Sequence, residues 1–228
     1  MSQIKEIPII CINLDRAKDR REYIEKEWIG NRGCPVHFIE ACDRRDIEEG
    51  RFLFPYNKEN SKNFLKRELT SGEIATVTSH VLALEYAKRN NFKEVIIIED
   101  DVEPKFPTYN KLNEIMDHMH IEFPKARVAM LHQAYPYLRY IVCNRKEHFS
   151  QVKRASYGTC SYYVDSRVYD TFINSLLSFE RPPDWYWSNF INEEQLVIPK
   201  IPLAIHIGKT TYMGNDYRGK VSHRTYIA

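Results

Sequence analysis

Residues 94–104, EVIIIEDDVEP, run four β-branched aliphatics, Val95 to Ile98, straight into three carboxylates, Glu99, Asp100 and Asp101. Adjacent carboxylates repel one another and lose hydration near a core, so the cluster requires a compensating cation or an exposed setting. A divalent metal is one such cation. Oxygen ligands of this kind suit Mg2+ or Mn2+, which would also carry part of a substrate's phosphate charge. The alternative is a solvated strand-to-loop corner at which the acids sit in water.

The elements around the cluster bear on that choice. Short aliphatic runs alternate with longer amphipathic stretches, the pattern of an α/β fold with a mostly parallel central sheet flanked by helices. Strands are expected at Ile7 to Ile12, Val36 to Glu40, Glu94 to Glu99, Arg127 to Leu131, Leu138 to Cys143 and Cys160 to Val164. Helices are expected from Arg16 to Trp28 and from Tyr109 to Met119, with a third after Thr70. There Ile74, Val77, Val81 and Leu84 repeat at helical spacing, and Thr70 with Glu73 matches a capping box. Residues 49–68 lack clean periodicity and read as a long surface loop. In open α/β sheets ligands bind beyond the carboxyl ends of the strands. Both INLD, residues 12–15, and EDD, residues 99–101, lie at such ends, which favours the metal reading.

Composition narrows the class. The 228 residues are 43% hydrophobic and 13% aromatic, enough apolar mass for one core and one domain spanning 1–228. Thirty-three basic against thirty-one acidic residues leave a net charge of +2, too balanced for a nucleic-acid-binding surface. Five cysteines with no C-x-x-C pairing fit neither a disulfide framework nor a zinc ribbon, and point to a reducing, cytoplasmic setting. No window approaches the ~18 apolar residues of a membrane span. Gly208-Lys209-Thr210 imitates the end of a P-loop, but the required first glycine falls on Leu203, and a Walker ATPase is rejected. Lys209 remains available as an ordinary phosphate-binding cation.

Four stretches in order, INLDRAKDRRE, GEIATVTSHVLAL, IIIEDDVEP and YGTCSYYVDSR, resemble the signatures of glycosyltransferase family 25, the lipooligosaccharide and procollagen galactosyltransferases. The resemblance covers roughly residues 7–217. It departs at Ala75-Thr76, where the family more often carries Gly-Cys after GEI. It implies a GT-A type nucleotide-sugar-binding fold and a UDP-sugar donor, UDP-galactose or UDP-glucose. It further implies Mn2+ or Mg2+, inversion at the anomeric carbon, and a glycan or glycolipid acceptor such as lipooligosaccharide.

Roles follow from that resemblance and from chemistry. A metal neutralises the leaving diphosphate as the glycosidic bond breaks. Asp101 is the expected direct ligand. Glu99 points the same way if strand geometry persists, toward the metal, the ribose or a bound water. Asp100 then faces the sugar hydroxyls or the opposite side of the strand. His206, ending an apolar run in IPLAIHIGKTTYMGND, is the expected third ligand, against a hydrogen-bonded structural role. His80 reads as a packing or supporting residue, and His118 and His120 as solvent-facing. Asn13, Asp15, Arg20 and Arg21 resemble the family's nucleotide-facing segment, with a solvated helix face as the alternative for the arginines. Glu73 is either the capping-box residue or a contact to donor or acceptor hydroxyls. Gly158, Thr159 and Ser161 form a stretch where glycine lets backbone approach ligand closely, or merely makes a turn.

Inversion in one step requires a general base at the acceptor hydroxyl. Asp184 in RPPDWYWSNF is the candidate, with Trp185, Tyr186 and Trp187 offering flat faces to sugars, Asp165 and Asp216 behind it, and a helix N-cap as the bland role. Basic stretches, Arg139, Arg145, Lys146, Lys153 and Arg154, then Arg218, Lys220 and Arg224, suggest weak peripheral docking on an anionic membrane surface, or plain solvated faces. Two other classes use some of the same features: a metal-dependent phosphohydrolase acting on nucleotide sugars, and a non-catalytic carbohydrate-binding protein.

Overall fold

The computed structural model describes residues 6–51, 56–132, 142–153, 158–177, 180–191 and 194–207. Strand β1 (Ile9–Asn13) leads into helix α1 (Lys18–Ile24), which continues as a π-helical segment (Glu25–Gly30) before β2 (Val36–Glu40). Two short helices, α2 (Arg44–Glu48) and α3 (Lys58–Leu65), precede the long α4 (Ser71–Arg89). Then follow β3 (Glu94–Glu99), β4 (Val102–Pro104), α5 (Tyr109–Glu122), β5 (Val128–Met130), β6 (Val142–Arg145) and β7 (Phe149–Val152). The remainder is β8 (Ser161–Asp165), α6 (Tyr169–Leu176), a 3-10 turn (Pro183–Trp187), α7 (Ser188–Ile191), β9 (Leu196–Pro199) and β10 (Ala204–His206).

Eight strands form one sheet in the order β2-β1-β3-β8-β5-β9-β7-β6, while β10 and β4 make a separate antiparallel pair. Six of the eight run in one direction and β7 and β8 run against them, so the expected mostly parallel sheet is present. Both faces are covered, which is why β3 could be an unbroken aliphatic run. On one face Ile10, Ile12, Val95, Ile97, Tyr162 and Val164 pack under α4, α6 and Trp187. On the other, Ile9, Cys11, Ile96, Ile98 and Tyr163 pack against Trp28 and against Leu112, Met116 and Met119 of α5.

Residues 49–68, expected as a loop, contain α3. Asn57 caps it by accepting from the Asn60 amide at 3.0 Å. Apart from Ser61 and Leu65 its residues are exposed, so it carries no apolar period for the sequence to display. The helix expected at 16–28 starts at Lys18 and passes into the π segment. Of the strand expected at 138–143, residues 138–141 lie outside the described residues and β6 takes up at Val142. His118 and His120, expected to face solvent, are half-buried. The His118 ring stacks on His148 at 3.9 Å, and His120 Nε2 lies 3.3 Å from the Tyr163 hydroxyl.

Candidate active site

Strands β1 and β3 lie side by side and parallel, so Asn13 and the acidic cluster arrive at the same edge of the sheet. Strand β8 runs the other way, with Ser161 opposite Ile98, and this brings Gly158 to Cys160 to that edge as well. The β4–β10 pair adds His206, which sits opposite Val102. Four segments distant in sequence therefore meet at the strand ends.

Strand geometry stops at Glu99. Asp100 and Asp101 form a turn before β4, and this turn divides the cluster. Asp100 and Asp101 share one cation: Arg20 Nη1 donates to Asp100 Oδ1 at 2.6 Å and lies 3.4 Å from Asp101 Oδ2. Asn13 Nδ2 donates to Asp100 Oδ2 at 2.8 Å. All four residues are buried. Burial raises the Asp100 carboxyl above its ordinary value despite Arg20 and Asn13, which pull it down, and the charge of Asp101 adds to the rise. The condition under which Glu99 and Asp101 would share a direction, a continuing strand, is not met, and Asp101 shares Arg20 with Asp100.

Glu99 has further partners of its own. Thr159 Oγ1 donates to its Oε1 at 3.0 Å, and His80 Nε2 stands 3.4 Å from the same oxygen. Burial alone would raise this carboxyl, but the hydrogen bonding and charge of His80, with the Thr159 hydroxyl, outweigh it and hold Glu99 below its ordinary value. Asp101 meets His206 on its other side, Nε2 to Oδ2 at 3.1 Å. That contact raises the His206 pKa, because it favours the imidazolium more than burial opposes it.

Among the described residues no three His, Cys, Asp or Glu side chains are grouped to hold a metal ion. Of the three expected ligands, Asp101 and His206 are in direct contact, and Glu99 acts on His206 through its charge. The Asp101–His206 pair still fits a cation in one respect. Asp101 Oδ1 is buried with no hydrogen-bond partner among the described residues. A carboxylate oxygen kept from water without a donor is costly, and a divalent ion would satisfy it.

The other candidates divide. Asp15 is exposed and paired to Lys18 at 2.6 Å, which lowers its carboxyl. Arg21 lies on the solvated face of α1, paired to Glu25 and over the Phe38 ring at 4.1 Å. Glu73 is buried in the capping box expected of it, and Arg67 donates to both its carboxylate oxygens at 2.7 Å. Gly158, at φ +102°, makes its close approach to protein: a Cβ there would lie 2.4 Å from His132 Nε2. His132, buried at the end of β5 with Nδ1 3.0 Å from the Ser161 carbonyl, is a residue of this rim that sequence reading passed over. Its position directly after an aliphatic strand was the available signal.

Asp184 lies in the 3-10 turn. Its neighbours Tyr186 and Trp187, expected as open stacking faces, are core residues. Trp187 packs 5.0 Å from Tyr162, and its indole donates to the Gly158 carbonyl at 3.0 Å. Asp165 sits across from Glu94, at the far end of β3 from the site, and caps the turn that follows by accepting from the Arg167 amide. Lys209, Asp216, Arg139, Arg154, Arg218, Lys220 and Arg224 lie outside the described residues. Arg145, Lys146 and Lys153 are exposed, and no helix among the described residues is long and apolar enough to cross a membrane. A cavity of about 840 Å³ between α5 and the β9–β10 connection, lined by Phe106, Lys111, His148 and Ile201 among others, contains none of the candidate residues.

A protein of Haemophilus influenzae assigned by name to the glycosyltransferases is 26% identical over 158 residues, covering 68% of this chain and 53% of that protein. A glycosyltransferase 25 family member of Aedes aegypti is 32% identical over 107 residues, 43% of this chain and 17% of its own length. The chain thus spans about half of the bacterial relative and under a fifth of the insect one. Among solved structures, a glycosyltransferase involved in the glycosylation of the major capsid of PBCV-1 superposes with TM-score 0.48 at 10% identity, over 91% of this chain and 95% of that one. Residues 6–187 match the family described as glycosyltransferase family 25 (LPS biosynthesis protein), and the chain belongs to that family.

Proposed function

We propose that this chain transfers a hexose, galactose or glucose, from a UDP-sugar to a glycan or glycolipid acceptor with inversion, on a nucleotide-sugar-binding fold of GT-A type. The observation that carries the reading is the buried carboxylate turn at the ends of β1 and β3, with Asp101 Oδ1 left without a donor beside His206. Asp101 and His206 would hold Mn2+ or Mg2+, and the ion would supply positive charge to the leaving diphosphate. Arg20 and Asn13 fix Asp100 and so hold the turn rigid beneath the donor. Glu99 faces donor hydroxyls. Asp184 is the proposed general base, since a carboxylate outside the acidic cluster must take the acceptor's proton.

Calorimetry with UDP-galactose and UDP-glucose, with Mn2+ and with EDTA, tests the donor and the metal together. Binding that requires Mn2+ and is lost in Asp101→Asn is expected. Metal-independent binding, or none to either nucleotide sugar, overturns the assignment. Rapid acceptor-free hydrolysis would instead assign a phosphohydrolase. Asp184→Asn, which keeps size but cannot accept a proton, should lower acceptor transfer by about two to four orders of magnitude with donor affinity little changed. Equal losses in donor binding would place Asp184 in the donor pocket.

A further inference from the structure

Helix α4 sets one imidazole beneath the cleft that the reaction outlined above does not use. His80 is 1% exposed, on the helix face packed against the sheet. Its Nδ1 lies 3.1 Å from the Tyr162 hydroxyl, and its Nε2 stands 3.4 Å from Glu99 Oε1, buried and without an aligned hydrogen bond. Tyr162 is fixed in turn by the rings of Trp187 at 5.0 Å and Phe172 at 5.9 Å. Burial pushes the Tyr162 phenol well above its ordinary pKa, so its proton stays at hand for Nδ1. When Tyr162 donates to Nδ1, Nε2 carries an N–H toward the carboxylate, and this is the arrangement the proposal requires.

Glu99 is held from three sides. Its amide donates to the Cys160 carbonyl at 2.8 Å, and Thr159 donates to Oε1 at 3.0 Å, the oxygen His80 also approaches. No hydrogen bond among the described residues reaches Oε2, and the side chain is 30% exposed. Every fixed contact is on one oxygen, which leaves the other to accept a hydrogen bond from the cleft. We propose that His80 is a positioning residue, holding Glu99 through Oε1 so that Oε2 accepts a hydroxyl of the nucleotide-sugar donor. Thr159 serves as the second clamp. The inference rests on the donor reading given above for the ligand, but the Tyr162–His80–Glu99 chain exists without it.

Two variants separate positioning from packing. His80→Leu fills similar volume but offers no donor, whereas His80→Gln retains an N–H directed along the same path. With Mn2+ present, calorimetric affinity for UDP-galactose should fall at least tenfold in His80→Leu and stay within about threefold of native in His80→Gln, both folding with similar thermal midpoints. Native-like binding by His80→Leu, or equal losses in the two variants, overturns the proposal. A second measurement needs no ligand: 15N NMR of the imidazole should show the His80 proton on Nε2, with a resonance that moves in Glu99→Gln. A proton on Nδ1, or a signal indifferent to Glu99→Gln, overturns the proposal whatever the donor. Failure of native protein to bind any nucleotide sugar would instead remove the donor reading, and the NMR result would still decide the positioning role.

Discussion

At the scale of residues, the site is a set of buried polar groups that satisfy one another, and removing one partner exposes the cost of the rest. Arg20 and Asp100 are each 8% exposed at the side chain and 2.6 Å apart. Arg20→Met should therefore cost about 3–5 kcal/mol in urea unfolding, because it leaves buried Asp100 without its cation. Arg20→Met with Asp100→Leu should cost clearly less than the single change. Equal losses would mean that the pair itself is not the source of the effect. Which residue types would gather here was legible in sequence, because aliphatic strands ending in acids have few alternatives. How they would divide was not. Strand β3 stops at Glu99, and its neighbour β8 and the β4–β10 pair that frame the turn come from far along the chain.

At the scale of elements, α4 was readable because every signal agreed. Its apolar positions repeat, and its capping box closes in both directions, with the Thr70 amide donating to Glu73 Oε2 at 2.9 Å and the Glu73 amide to Thr70 Oγ1 at 3.2 Å. Thr70→Ala should lower stability by about 1 kcal/mol, read from chemical unfolding. A loss of less than a few tenths would show Arg67 sufficing to hold Glu73. Helix α3 escaped notice for the opposite reason, since an almost wholly exposed helix leaves no periodic record. The segment before β8 is the most demanding. Gly158→Ala would force a Cβ to within 2.4 Å of His132 Nε2, on a backbone at φ +102° that L side chains rarely adopt. The Thr159 contact to Glu99 lies one residue on, so this change should weaken donor binding as well as lower the unfolding midpoint. Native affinity in a destabilised Gly158→Ala protein would detach the segment from the donor site.

At the scale of the whole molecule, the carboxylates outside the site fasten elements together, and their shifts fix how stability responds to acid. Glu122, at the end of α5, accepts from the His148 and Phe149 amides at 2.9 Å each and lies 2.8 Å from His148 Nδ1, tying the helix to β7. Asp43 accepts from Arg16 at 2.7 Å and from Arg45, and Asp165 holds Arg167. In each, burial works to raise the carboxyl, and the hydrogen bonds and cations overcome it, so the folded pKa lies below the ordinary 4.5 for Glu or 3.8 for Asp. A depressed folded pKa means that the unfolded chain binds protons first as acid is added. The stabilisation is therefore complete above the ordinary carboxylate range and is lost as pH falls through and below it. The thermal midpoint should hold from pH 7 to about pH 5 and drop steeply toward pH 3. Glu122→Gln should lower the midpoint at pH 7 and flatten that drop, since the amide cannot release its share on protonation. A midpoint unchanged down to pH 3, or a Glu122→Gln protein with the native slope, would show that the α5–β7 contact carries none of the acid sensitivity.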